Sequence, residues 1–188
     1  MVANPKNKGN QFEIQICKKL SLYLTSKERD DLFWRSSNSG GRQTTRMKKG
    51  IETHNQSGDI TATHPDGEMF MSVFTVECKN YTNINLFSLI TGTEGNTIVG
   101  WWKVHLDKSR EVNRHPLLII KQNNKPILWI CDRRISSRMN AYFNIEPKLI
   151  SKISNLEKMH IFDFEEVMTT DPEAFKLLLN EMVKNENS

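Results

Sequence analysis

Residues 74–79, Phe-Thr-Val-Glu-Cys-Lys, alternate apolar and polar side chains without a break. Side chains on a strand alternate between faces with a period of two, so Phe74, Val76 and Cys78 share one face and Thr75, Glu77 and Lys79 the other. The segment reads as a strand with one face to bury and with a carboxylate and an ammonium on its back. The strand pattern extends from Met69 to Lys79. A second strand begins at Asp59-Ile60-Thr61-Ala62, and His64-Pro65-Asp66-Gly67-Glu68 between them carries strong turn chemistry. Two strands joined by a turn are therefore expected over residues 59–79.

The rest of the chain supplies layers for this sheet. Phe12, Ile16, Leu20 and Leu24 recur every fourth residue, which predicts a helix from about Gly9 to Thr25 or Ser26, preceded by a loose Lys- and Asn-rich arm. Leu32-Phe33-Trp34 reads as a short strand or the end of a helical turn. Gly100 to Arg114 is helical in pattern, with Pro116 stopping it. Leu117–Ile120 and Ile127–Cys131 are buried strands around a turn at 122–126. Arg133, Arg134 and Arg138 fall in a polar connection, and 147–159 is a weak helix or loop. His160–Phe164 is a short strand. Asp171 as N-cap and Pro172 at the first helical position open a final helix bearing Phe175, Leu178, Leu179 and Met182. The order predicts an α/β fold, a central mixed β-sheet flanked by helices.

Composition excludes several classes. The chain has 188 residues, 37 % of them hydrophobic, with four Trp and nine Phe, enough for a packed core. No apolar run approaches a membrane span, and the N-terminus lacks the apolar stretch of a secretory signal. Cys17, Cys78 and Cys131 are too far apart for a zinc motif or a disulfide framework and read as buried thiols in a reducing, cytoplasmic setting.

The net charge of +4 hides an uneven distribution. Residues 1–50 hold 11 basic and 4 acidic groups, residues 51–100 hold 1 and 6, and residues 101–150 hold 10 and 4. Within 36–58, a Ser-, Asn-, Gly- and Thr-rich stretch, Arg42, Arg46, Lys48 and Lys49 fall within eight residues with no acid among them. A long loop inside a compact domain is usually functional, and these four cations suit phosphate. Arg35, beside Trp34, is a further candidate for phosphate contact. Trp101 and Trp102 read as core, with base stacking as the alternative. His105, His115 and His160 read as surface residues or occupants of satisfied pockets.

The chemistry concentrates at Glu13, Asp59, Glu77 and Lys79. Two carboxylates at neighbouring strand ends and a third from a packed helix offer hard oxygen ligands to Mg²⁺ or Mn²⁺. Lys79 lies about 7 Å from Glu77 along the same face, at ~3.3 Å per residue. Phosphodiester hydrolysis needs a cation to activate water and a second positive group on the nucleophile or phosphate.

These residues carry a resemblance. Lys8-Gly9 ahead of Glu13, the run Arg35-Ser36-Ser37-Asn38-Ser39-Gly40-Gly41, then Ser57-Gly58-Asp59-Ile60 and Thr75-Val76-Glu77-Cys78-Lys79 resemble the PD-(D/E)XK nuclease superfamily. The layout is most similar to archaeal-type Holliday-junction resolvases and related small bacteriophage nucleases. One position departs: Gly58 stands where the superfamily's name puts Pro. The chain's length fits a single nuclease domain over 1–188, with a catalytic core at 8–131 and a C-terminal extension at 132–188. The resemblance covers about residues 8–80 by motif, extends loosely to 131, and implies a restriction-endonuclease-like fold. It implies that Asp59 and Glu77, helped by the Cys78 carbonyl, hold Mg²⁺, with Mn²⁺ as a substitute. Glu13 would join the metal directly or through water, and Lys79 would orient the attacking water. The implied substrate is duplex or branched DNA, and a junction-cutting enzyme would work as a homodimer. A DNA-binding module on the same fold, without turnover, is the alternative.

Overall fold

The computed structural model describes residues 5–36, 58–91, 97–152 and 156–186. Helix α1 runs from Pro5 to Leu24 and buries Phe12, Ile16, Leu20 and Leu24 on one stripe. It starts earlier than the apolar pattern alone predicts. Proline's fixed φ suits a first helical turn, so residues 5–9 of the expected loose arm are helical, and residues 1–4 lie outside the described residues. Lys8 Nζ donates to Asn123 Oδ1 at 2.6 Å, tying the helix start to a distant turn.

Strands β1 (Phe33–Arg35) and β2 (Ile60–Ala62) form a small antiparallel ribbon. The short helix α2 (Glu68–Val73) then leads into β3 (Phe74–Tyr81). This corrects the expectation of a strand over 69–79 and of a hairpin with 59–62. Met69 to Val73 is a nearly continuous apolar run, and such a run suits a buried helix as well as a strand. Here it buries Phe70, Met71 and Val73. With that helix between them, β2 pairs with β1 instead, and the path toward β3 is a single parallel bridge, Gly58 with Val76.

After α3 (Phe87–Thr91), helix α4 (Thr97–Glu111) crosses to β4 (His115–Gln122), which pairs with β3 in parallel. The helix starts before Gly100, and Pro116 lies inside β4 rather than ahead of it. Pairing of β4 with β5 begins only at Leu117, so the missing N–H of Pro116 falls at the strand's beginning, where proline is tolerated. Strand β5 (Ile127–Cys131) returns antiparallel. Asp132 then caps α5 (Arg133–Phe143), its Oδ1 accepting from the Ile135 N–H at 2.9 Å, so the arginines expected in a connection stand on a helix. Strands β6 (Leu149–Ile150) and β7 (His160–Asp163) complete a five-stranded mixed sheet in the order β3-β4-β5-β7-β6. Helix α6 (Phe164–Val167) and α7 (Pro172–Glu186) follow, and Asp171 accepts from the N–H groups of Glu173 and Ala174 as its position predicts.

The sheet divides the interior into two cores. On one face Phe74, Val76, Leu117, Ile119, Trp129 and Phe162 meet α1, α2 and α7. On the other, Leu118, Ile120, Ile130 and Ile161 meet Ile98 and Trp102 of α4 and Leu89 of α3. Alternation on β3 holds as read: Cys78 belongs to the first face, and Thr75 turns to α4. Residues 132–186 are woven into this arrangement, giving two strands of the sheet and, in Phe175, Leu178, Leu179 and Met182, part of the first core. All three cysteines are buried free thiols. No helix among the described residues is long and apolar enough to cross a membrane.

Candidate active site

The site is built where β3 forms the sheet's edge. Strand β4 takes one side of β3, which leaves its other side to be met by residues 58 and 59. The Asp59 N–H donates to the Val76 carbonyl at 2.7 Å. The Asp59 side chain then does what a neighbouring strand would do next: its Oδ2 accepts from the Cys78 N–H at 2.9 Å. One residue thus replaces two steps of a ladder, and its carboxylate is fixed against the strand that carries Glu77. The Asp59 carbonyl accepts from the Ser36 N–H at 2.8 Å, joining the end of β1 to the same point.

Gly58 makes this close approach possible. Its φ is +120°, and a Cβ there would lie 2.6 Å from the Val76 carbonyl oxygen. Proline is locked near −65° and cannot adopt that angle. The departure from the superfamily's first letter thus has a backbone cause.

Glu77 and Lys79 form a direct ion pair, Oε1 to Nζ, on the α4 face, with side chains 17 % and 23 % exposed. Such partial burial strengthens the pair relative to a solvated one. Burial alone would raise the Glu77 carboxyl and lower the Lys79 ammonium. Their mutual attraction outweighs burial in both, holding Glu77 below and Lys79 above the ordinary range. Asp59 makes no ion pair among the described residues. Burial first, and the charge of Glu77 second, push its pKa up to about 7.

Glu13 reaches the same region from α1. Its Oε2 accepts from Arg35 Nε at 2.9 Å, and Arg35 also donates to Asn10 Oδ1 at 2.8 Å. The Glu13 side chain is 12 % exposed, and its charge is felt at Asp59. Cys78 points its side chain into the core, where burial holds the thiol well above its normal pKa, so only its main chain is available to a ligand.

Helix α4 runs antiparallel to β3 and lays Trp101, His105 and Ser109 along it. Thr75 Oγ1 bonds Ser109 Oγ, and Ser109 Oγ donates onward to the His105 carbonyl at 2.7 Å. His105 Nε2 donates to the Thr75 carbonyl at 3.0 Å, and burial lowers its pKa to about 4, so the ring is neutral at pH 7. Lys108, one helical turn on, adds positive potential at Glu77. Reading the sequence missed Asn10, His105 and Lys108 as parts of the surroundings. The i, i+3 spacing of His105 and Lys108 was visible, but its relation to β3 depends on the docking of α4.

The structure therefore brings Glu13, Arg35, Asp59, Glu77, the Cys78 main chain and Lys79 into one region. Arg42, Arg46, Lys48 and Lys49 lie outside the described residues. The expected surface or satisfied histidines are all buried with partners: His115 Nδ1 meets Asp132 Oδ2, and His160 Nδ1 meets Ser136 Oγ at 2.9 Å. Trp102 is core, whereas Trp101 is only partly buried.

Among the described residues no three His, Cys, Asp or Glu side chains converge as a self-sufficient metal cage. The donor set still suits Mg²⁺, which takes one or two carboxylates and completes its shell with water and substrate phosphate. Asp59 and Glu77 are hard oxygen donors, each with one oxygen left without a hydrogen-bond partner among the described residues. The raised Asp59 carboxyl beside Glu77 is the strain that a divalent cation would relieve.

Comparison with known families gives a match over nearly the whole chain. The model of a family described as "Phage putative PDDEXK endonuclease" matches residues 4–183. No curated protein and no solved structure matches the chain.

Proposed function

Because the chain belongs to that phage PDDEXK endonuclease family, we propose that it is a divalent-metal-dependent endonuclease that hydrolyses DNA phosphodiesters at Asp59, Glu77 and Lys79. The observation that carries this reading is the Asp59 carboxylate clipped to the Cys78 N–H, beside Glu77 and its Lys79 partner. Asp59, Glu77 and the Cys78 carbonyl would hold the metal, with Mg²⁺ as the natural ion and Mn²⁺ able to replace it. Polarisation of the scissile phosphate and acidification of the attacking water are what such an ion contributes when bound.

The chain's own residues supply the rest. Lys79 stays protonated in this setting, so it orients the water and stabilises negative charge as it develops on the phosphate. Glu77 positions the Lys79 ammonium through their ion pair. Glu13 is held in place by Arg35, which Asn10 braces in turn, and its charge acts on Asp59. Arg42, Arg46, Lys48 and Lys49 are proposed to grip phosphates on either side of the cut.

The substrate is proposed to be branched DNA of the Holliday-junction type, cut by a homodimer. A cleavage panel of labelled four-way junctions, flaps, single strands and linear duplex tests both levels. Cutting with Mg²⁺ or Mn²⁺, none in EDTA, and none by Asp59→Asn or Glu77→Gln proteins that still bind DNA is the expected pattern. Cleavage that survives both substitutions refutes the site. Binding without cleavage of any substrate with either metal establishes the non-catalytic alternative instead.

A further inference from the structure

Tyr81 closes β3 and, by the strand's alternation, lies on the face of Glu77 and Lys79. It is 45 % exposed, a large ring kept out of the core at the sheet's edge. Its ring centroid is 4.6 Å from that of Trp101, and the planes are inclined by 40°. Trp101 is packed in turn against the core under α4, so it is anchored and steadies the tyrosine from one side. The Tyr81 hydroxyl has no hydrogen-bond partner among the described residues.

We propose that Tyr81, braced by Trp101, is a stacking platform for an unpaired nucleobase of the DNA strand being cut; this rests on the nuclease reading above. Tyr81 stands two residues beyond Lys79, about 7 Å along the strand at ~3.3 Å per residue. That is the length of about two stacked nucleotides at ~3.4 Å each. A base and its phosphate are covalently joined, so whatever brings a phosphate to Lys79 brings a base within reach of Tyr81. This continuity with the carboxylate face favours DNA over a second copy of the chain as the occupant. A base within an intact duplex is already stacked on both faces. The platform therefore selects DNA with a single-stranded arm or an opened branch point.

The test uses the wild-type protein in EDTA, so that binding is read without cleavage, and DNA forks carrying 2-aminopurine at successive positions from the branch. Stacking quenches that base's fluorescence. The platform predicts quenching at one or two adjacent positions, lost in Tyr81→Leu and kept in Tyr81→Phe. Tyr81→Leu should weaken binding to forks about tenfold, in line with loss of one stacked base. Its binding to blunt duplex should change less than about twofold, since no unpaired base is available there. Binding without quenching at any position overturns the platform, and so does an equal loss on forks and duplex. Unchanged DNA affinity with a dimer that dissociates in Tyr81→Leu also overturns it, and assigns the surface to self-association. Protein that cleaves with Mg²⁺ yet fails these tests loses the platform alone. Protein that neither binds nor cleaves DNA loses the nuclease reading as well.

Discussion

Replacing Asp59 by Asn should make the metal-free protein more stable while removing its activity. Burial and Glu77 raise the Asp59 pKa from 3.8 to about 7. A carboxyl with a higher pKa folded than unfolded binds more protons in the folded state, so stability falls as pH climbs from about 4 to about 7 and stays low above. Three units at 1.36 kcal/mol each set a ceiling of about 4 kcal/mol at pH 8. Solvent reaches this partly exposed carboxyl, and screening at an effective dielectric near 20 leaves about half, ~2 kcal/mol. Asparagine keeps an oxygen that can accept from the Cys78 N–H and removes the charge beside Glu77. At ~2–4 °C per kcal/mol for a chain of this size, Asp59→Asn should melt about 4–8 °C above wild type in EDTA at pH 8. The gap should narrow to a small fraction as pH falls to 4, where the wild-type carboxyl is protonated in the folded state and close to half protonated in the unfolded one. Saturating Mg²⁺ should raise the wild-type Tm and leave that of the variant unmoved. Thermal scans at pH 4, 6 and 8, with and without Mg²⁺, measure all of this. A variant that melts at or below wild type at pH 8, or a gap independent of pH, refutes the reasoning.

Gly58→Ala places a Cβ 2.6 Å from the Val76 carbonyl oxygen at a φ of +120°. It should cost about 1–3 kcal/mol and abolish cleavage with Asp59 and Glu77 intact, read by urea denaturation and the cleavage panel. Phe175 of α7 touches the rings of Tyr23, Phe70, Trp129 and Phe143. Phe175→Ala should therefore lower unfolding free energy by about 3–5 kcal/mol in urea, far more than truncation at an appended helix would. Changing Arg42, Arg46, Lys48 and Lys49 together to Ala should flatten the salt dependence of DNA affinity, lowering the log–log slope by up to about 0.9 for each phosphate no longer neutralised. An unchanged slope would show that those four cations do not neutralise phosphates.

The parts of the fold that could be read from sequence are those whose local pattern agrees with their final surroundings. Residues 74–79 alternate because one face meets α1 and the other α4, so the side of Glu77 and Lys79 followed from period two alone. Helix α7 declared itself through Asp171-Pro172 and an apolar stripe. Helix α2 did not, because five residues with four apolar side chains fit either regular structure. Helix α5 was hidden by its polarity: only Ile135, Ser136 and Met139 are buried on it, and its one clear signal was the N-cap Asp132. The site divides in the same way. Glu77 and Lys79 share one strand, whereas the contacts of Arg35 with Glu13 and of Asp59 with Cys78 span 22 and 19 residues and depend on how α1, β1 and β3 come together. The hairpin expected around Asp59 was wrong in its pairing because a turn motif fixes a reversal of the chain and leaves the partner strand open.

The clip made by Asp59 has a second consequence, for aggregation. An exposed strand edge offers unpaired N–H and C=O groups as a template for another chain. At β3, Asp59 occupies the Val76 carbonyl with its main chain and the Cys78 N–H with its side chain. The residue proposed to bind metal therefore also blocks two steps of edge-to-edge pairing between molecules. Asparagine preserves that block and alanine opens it, so an inactive Asp59→Ala protein would combine lost chemistry with a newly adhesive edge.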